Sequence, residues 1–98
     1  MTHVWVRTID GDLIRASTIR QINTDGGLRA ILNAGSQFIL APTADREAAD
    51  RAALELVAAL ALGEGRAQAS VIEVACEDDQ VIVSTRLLPA EDPRDAAL

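Results

Sequence analysis

Short apolar stretches separated by turns make up the first forty residues. In residues 3–9, Val4, Val6 and Thr8 alternate with other side chains, as expected of a β-strand with one buried face. Asp10-Gly11 then predicts a hairpin turn, because glycine readily adopts the positive φ angles that such a turn needs. Similar stretches predict four more strands, at residues 12–16, 19–23, 28–33 and 37–41.

The connections between these strands carry their own signals. Asp25-Gly26-Gly27 and Gly35 predict tight turns, because glycine is the usual residue where the backbone is left-handed. Ile19 and Ile22 are three residues apart, which interrupts strict alternation and predicts a bulge or short turn. The first half of the chain is therefore predicted to be an antiparallel β-meander of four or five strands.

A single long helix is predicted from Thr43 to about Leu62. Thr43 is the expected N-cap, since its hydroxyl can accept a hydrogen bond from a free backbone N–H of the first turn. Gly63 or Gly65 is expected to end the helix in a left-handed cap. At 100° per residue, one stripe forms the predicted core face, with the residues Ala49, Ala53, Leu56, Val57 and Leu60.

The opposite side of the predicted helix changes character along its length. It begins with the charged ladder of Glu47, Arg51 and Glu55 and continues with Ala58, Ala59 and Leu62. One explanation of the apolar second part is that small alanines are exposed to solvent there. The alternative is that another chain or the C-terminal segment covers this surface.

After Gly65, residues 70–76 and 81–88 predict a β-hairpin joined by the loop 77–80. Residues 89–98 contain two prolines and three acids and are predicted to be a flexible acidic tail. The predicted fold is α+β, with the helix packed on one face of an antiparallel sheet, in a single domain over residues 1–88.

Composition and charge narrow the function classes. All nine basic residues of the 98-residue chain are arginine, and there is no lysine or tyrosine. Together with eighteen alanines this is typical of a GC-rich bacterium, and it excludes lysine Schiff-base and tyrosine-acid mechanisms. The longest apolar run, Leu56–Leu62, is too short to span a membrane, no secretory signal is visible, and the one cysteine fits a reducing, cytoplasmic location.

No pattern in the sequence predicts catalysis or metal binding. His3 lies near a terminus, and Cys76 is expected to be a buried small hydrophobe. Asp10-Gly11-Asp12 opens like a calcium loop, but arginine and glutamine stand where later ligands belong. The acids at 77–79 are typical of a solvated loop. Gly63-Glu64-Gly65 follows a helix, which is the wrong context for dinucleotide binding. We expect no enzyme activity and no cofactor or metal.

The unequal charge distribution leaves one basic region. The net charge is −6, but residues 1–42 sum to +1, with the arginines Arg7, Arg15, Arg20 and Arg29 on consecutive predicted strands. A solvated sheet face explains them, and an anion-binding or nucleic-acid-binding face is the alternative. The overall acidity disfavours nucleic acid, and two aromatic residues are too few for base stacking.

Apolar side chains on both faces of several predicted strands indicate that a second sheet face is covered. In so short a chain a symmetric dimer achieves this most simply. We therefore expect a small, non-enzymatic protein-interaction domain that binds itself, as a homodimer, or another protein. The contact candidates are Trp5, Phe38, Ala58 and Leu62.

The order of elements over residues 4–60 resembles that of small FlbD-like flagellar proteins and of the LytTR DNA-binding domain. The resemblance consists of Gly11, Ile19, Ile22 and Gly35, which many β-meanders contain. The final hairpin departs from the first and the net acidity from the second, so the sequence identifies no family.

Overall fold

The computed structural model describes residues 3–43, 45–66, 68–78 and 80–88. The predicted acidic tail, residues 89–98, lies outside these described residues. The fold is α+β, as predicted: five N-terminal strands, one helix of 19 residues and a C-terminal hairpin. The strands are β1 (Val4–Arg7), β2 (Leu13–Arg15), β3 (Ile19–Asn23), β4 (Leu28–Leu32), β5 (Gln37–Ala41), β6 (Ser70–Glu77) and β7 (Gln80–Leu87), and the helix is α1 (Arg46–Glu64).

The strands form two sheets rather than one continuous meander. One sheet has four strands in the order β2-β1-β6-β7, and the other has three in the order β3-β4-β5. A 3₁₀ turn, Ala16–Thr18, separates β2 from β3. A backbone hydrogen bond of 2.9 Å from the Ile9 N–H to the Ile39 carbonyl joins the chain after β1 to β5. The first hairpin therefore belongs to the sheet completed by the C-terminal hairpin.

Strand β1 pairs antiparallel with β2 and parallel with β6. The pairing with β6 could not be read from local sequence, because the two strands are more than sixty residues apart. Val4 and Val6 on β1 are fully buried. The main core joins both sheets and the helix through the residues Val4, Val6, Ile14, Leu28, Ala30, Leu40, Ala41, Ala52, Leu56 and Ile72.

The predicted turns are confirmed where glycine was expected. Gly11, Gly26, Gly27 and Gly35 all have positive φ. The register of β3 against β4 shifts between Ile19 and Gln21, which confirms the predicted irregularity. At Gly27 (φ +122°) a Cβ atom would also lie 2.8 Å from the Ala41 carbonyl oxygen, so this turn needs glycine for space as well as for conformation.

The predicted N-cap is wrong, and the helix ends at Gly65 as predicted but with a different cap conformation. Asp45 is the N-cap: its Oδ1 accepts hydrogen bonds from the backbone N–H groups of Glu47 (3.0 Å) and Ala48 (3.2 Å). Thr43 is buried just before the helix, and its hydroxyl accepts a hydrogen bond from the backbone N–H of Asp45 (3.1 Å). At the other end Gly65 is the C-cap in right-handed conformation (φ −83°), so no left-handed cap forms.

The predicted core face of α1 is also partly wrong. Ala49 and Leu56 are buried as expected, but Ala52 and Gly63 complete the buried stripe and Val57 is exposed. The reason is close packing at the C-terminal end of α1. A Cβ atom on Gly63 would lie 2.6 Å from Val4 Cγ2 and 3.3 Å from Ser70 Oγ, so glycine lets α1 approach β1 and β6.

Replacing Gly63 with alanine should therefore lower the free energy of unfolding by about 1–3 kcal/mol, because the added methyl group overpacks a filled site. In an open helix the same change would stabilise by about 1 kcal/mol. Urea unfolding measures the difference. Gly65→Ala is the matched control, since its Cβ would meet nothing closer than 3.7 Å, and it should be neutral or slightly stabilising. Equal effects of the two substitutions would contradict the close approach.

Candidate functional site

One exposed surface is an apolar stripe on α1, which we call the helix face and define as Leu54, Val57, Ala58, Ala61 and Leu62. Leu54 is 74% exposed, Leu62 is 62% exposed and Val57 is 52% exposed, and both alanines are exposed. The spacing of these residues by three and four places them on one side of the helix. Leu54 and Leu62 are about two helical turns apart, and Glu55 is the only charged residue between them.

Two of the predicted contact residues, Ala58 and Leu62, lie on the helix face. Sequence reasoning missed Leu54 and assigned Val57 to the core. A signal for Leu54 was present, because at 100° per residue it projects between Asp50 and Glu47, on the charged side of the helix. A large apolar residue among exposed charges is an early sign that the polar side of a helix is not simply solvated.

A second surface is the side of the four-stranded sheet that faces away from α1, which we call the outer sheet face. Side chains alternate along each strand, so residues opposite Val4 and Val6 point outward. Strand pairing aligns them in cross-strand rows. The surface consists of Trp5, Arg7, Leu13, Arg15, Val71, Glu73, Ala75, Glu77, Gln80, Ile82, Ser84 and Arg86, of which Val71 is buried beneath its neighbours.

Cationic contacts dominate the outer sheet face. The Arg15 guanidinium carbon lies 5.3 Å from the centre of the Trp5 ring, within cation–π range. Glu73 accepts from two arginines, Arg7 through Nε at 3.2 Å and Arg86 through a terminal nitrogen at 3.4 Å. Two arginines thus share one carboxylate, and the third stacks on Trp5. Sequence reasoning did not assign Glu73 or Arg86 to this surface, because the parallel pairing of β1 with β6 brings them there.

The four predicted anion-binding arginines do not share one sheet. Arg7 and Arg15 lie on the outer sheet face, whereas Arg20 and Arg29 belong to β3 and β4 in the other sheet. Arg20 is exposed. Arg29 is half-buried, and its Nε is shielded from solvent with no hydrogen-bond partner among the described residues.

Phe38 is placed differently from the other contact candidates. It is half-buried and packs against the main core. Its neighbour two positions along β5, Leu40, is buried on the same side of the strand. The side of β5 that carries Phe38 therefore contributes to the interior, and Ile39 projects on the exposed side.

A concave cleft of about 410 Å³ lies where β1 turns towards β5. Its lining residues are Arg7, Thr8, Ile9, Gly11, Leu40, Pro42, Val74 and Cys76. The Arg7 side chain is already engaged here, since it donates to the Gly11 carbonyl at 3.1 Å as well as to Glu73. The cleft therefore presents no free cation to an anionic ligand.

The prediction that Cys76 is buried is wrong, because the residue is exposed. Burial decreases along β6, from buried at Ser70, Val71 and Ile72 to exposed at Ala75 and beyond. The hairpin of β6 and β7 thus extends past the part of the core that covers its beginning. His3 is exposed as well, and it lies on a different strand end from Cys76.

No three His, Cys, Asp or Glu side chains of the described residues come close enough to hold a metal ion. Asp10, Gly11 and Asp12 form a turn closed by the Asp12 N–H, which donates to the Thr8 hydroxyl at 3.1 Å. In the hairpin loop Asp78 has positive φ, and Asp79 lies outside the described residues.

Comparison of the chain with protein-family models, with curated proteins and with solved structures found no match. In the part of the chain that the structure describes, no helix is long and apolar enough to cross a membrane.

Because Cys76 is exposed, we expect it to react with a maleimide or with Ellman's reagent in native buffer. The labelling rate should be within about ten-fold of the rate in denaturant, since exposure controls access of the reagent to the thiol. Cys76→Ser should leave the unfolding midpoint unchanged. Protection of the thiol in native buffer at low protein concentration would contradict the exposed position.

Proposed function

We propose that this protein is a non-enzymatic interaction module that self-associates, with the helix face of one copy packed against the helix face of a second. The observation that carries the proposal is the exposure of Leu54, Val57 and Leu62 on one side of one helix. A cytoplasmic location and the absence of a cofactor are parts of the same proposal.

Burial of the helix face supplies the driving force. Each large apolar side chain that is removed from water contributes about 1.5–3 kcal/mol when it is buried completely. Leu54 and Leu62 are eight residues apart, or about 12 Å along the helix axis, with Ala58 midway between them. The small side chain of Ala58 allows a second helix to approach closely between the two leucines.

A second copy fits this surface in an antiparallel arrangement. If a two-fold axis passes beside Ala58, positions whose numbers sum to 116 lie level with each other, because both helices have the same rise per residue. Leu54 then lies level with the second copy's Leu62, and each copy contributes the same pair. Both leucines meet an apolar side chain instead of a charged one.

Electrostatics favour the same arrangement. The last turn of α1 contains no basic residue to offset the negative end of the helix dipole. In the antiparallel pair, Arg51 of one copy lies level with Gly65 at the C-terminal end of the other helix. Arg51 is exposed and able to reach it. A second copy therefore adds a cation at each helix end, beside Arg66, which follows the C-cap.

Light scattering on a sizing column at several concentrations tests self-association directly. We expect a mass near twice 10.4 kDa that falls towards 10.4 kDa on dilution, because a single pair of helices is smaller than a standard interface. Leu54→Glu and Leu62→Glu should give monomers at every concentration, since a buried unpaired carboxylate is strongly unfavourable.

Ile82→Glu is the matched control, because it places the same charge on a half-exposed apolar position of the outer sheet face. It should leave the dimer intact. Circular dichroism shows that each variant is folded. A wild-type mass of 10.4 kDa at all concentrations overturns self-association, and a dimer that survives both leucine substitutions places the contact elsewhere.

The antiparallel arrangement has its own prediction. Arg51→Gln should weaken the dimer by about 3- to 30-fold, because each of its two symmetric contacts with a helix terminus contributes about 0.3–1 kcal/mol. The dissociation constant follows from light scattering across a dilution series. Arg46→Gln makes the same change on the same helix, away from the helix face, and should have no effect. Equal effects of the two arginine substitutions would contradict the arrangement.

The alternative proposal, a module that binds nucleic acid or another anion through Arg7, Arg15, Arg20 and Arg29, has weaker support. These residues lie in two different sheets, and Arg7 is paired with Glu73. Affinity that falls steeply with salt and is lost when two of these arginines become glutamine would favour it.

A further inference from the structure

One cross-strand row of the outer sheet face has an arginine at each end. Trp5 pairs with Arg15 on one side and with Val71 on the other, and Val71 pairs with Arg86. With strands about 4.8 Å apart, the row Arg15–Trp5–Val71–Arg86 is roughly 14 Å wide. Its centre is apolar and its ends are cationic.

The charge of this surface is opposite to that of the whole chain. Arg7, Arg15 and Arg86 against Glu73 and Glu77 give the outer sheet face +1, whereas the chain carries −6. Glu73 is shared by Arg7 and Arg86. Among the described residues no carboxylate lies within ion-pair distance of Arg15, whose planar group rests over Trp5. The row therefore suits an extended acidic segment.

The chain carries such a segment next to this row. Residues 89–98 have the sequence PAEDPRDAAL, in which Glu91, Asp92 and Asp95 outnumber Arg94. The last described residue, Leu88, donates its N–H to the Ala69 carbonyl at 2.9 Å, two positions beyond Arg86. Ten extended residues reach up to about 33 Å, more than twice the width of the row.

The surroundings of Leu88 favour the outer side of the sheet. The inner side at this end is taken by the connection from α1 to β6, where Gly63 packs against Val4 and Ser70. The Gln68 side chain of that connection donates to the Leu88 carbonyl at 2.6 Å. At this end of the sheet the outer side is therefore the open one.

We infer that residues 89–98 dock on the outer sheet face of the same molecule, with the acidic side chains beside Arg15 and Arg86 and the segment covering Trp5. Because the segment is tethered, its effective concentration is in the millimolar range, so weak ion pairs and modest apolar contact are sufficient. This docking is independent of the helix face, which lies on the opposite side of the four-stranded sheet.

Trp5 is the only tryptophan, so its fluorescence reports on this row alone. The experiment uses the full chain and measures quenching of Trp5 by acrylamide. The variant Glu91→Gln/Asp92→Asn/Asp95→Asn should raise the quenching constant about two-fold, because the segment no longer covers the ring. Wild type should approach the variant in about 1 M salt, where the screening length falls to about 3 Å. Arg86→Gln should also raise the quenching constant, because it removes one cation of the row. Val71 separates this position from Trp5.

The control variant Asp25→Asn/Asp50→Asn/Glu55→Gln removes the same number of exposed acids outside the four-stranded sheet and should behave like wild type. All variants are compared in the Leu62→Glu background, so that the result does not depend on whether the helix face self-associates. Equal quenching of wild type and the segment variant overturns the inference. Protection of Trp5 that disappears on dilution also overturns it, since the segment would then bind another molecule.

Discussion

The pairing of β1 with β6 sets the arrangement of both exposed surfaces. β1 is only four residues long, yet it joins the N-terminal hairpin to the C-terminal hairpin in one sheet. Its alternation then divides the sheet into two different sides. Val4 and Val6 turn inward to the main core, while Trp5 and Arg7 turn outward beside Glu73 and Val71. Without this parallel pairing the outer sheet face would not exist as one surface.

Close packing of α1 against the inner side of this sheet has a consequence for the helix itself. Gly63 occupies the buried stripe because a larger side chain would not fit so near Val4 and Ser70. At this end the helix is therefore positioned by its smallest residue, while Leu56 is fully buried further along the stripe. Val57 turns out to solvent as a result, and Leu54 and Leu62 remain exposed beside it. The apolar helix face follows from how the core is packed.

Local signals in the sequence predicted the elements well, because each element is specified by neighbouring residues. The turns at Gly11 and Gly35 need positive φ, and the long helix and final hairpin have clear periodicities. The cap at Asp45 was missed because Thr43 is an equally suitable residue two positions earlier, and the backbone places the first helical N–H groups nearer Asp45. Such errors are small shifts along a correctly predicted element.

The candidate surfaces were harder to predict, because they depend on contacts between distant residues. Arg7 and Arg15 were recognised as neighbours, but Arg86 joins them only through β6 and β7. Cys76 was expected to be buried because its strand is apolar, and only the extension of the hairpin past the core exposes it. Residue types predicted which side chains are charged, apolar or reactive. The long-range strand pairing determined which of them share an exposed surface.

The two surfaces differ in chemistry and lie on opposite sides of the four-stranded sheet. The helix face is apolar, and the last turn of α1 contains no basic residue to offset the helix dipole, which favours an identical partner in antiparallel orientation. The outer sheet face is cationic with an aromatic centre, which favours an acidic segment. Because salt weakens ion pairs and leaves apolar burial largely intact, the two contacts respond to ionic strength in different ways. We therefore expect a higher salt concentration to uncover Trp5 while the proposed helix pair persists. The outer sheet face would then become exposed without dissociation of the dimer.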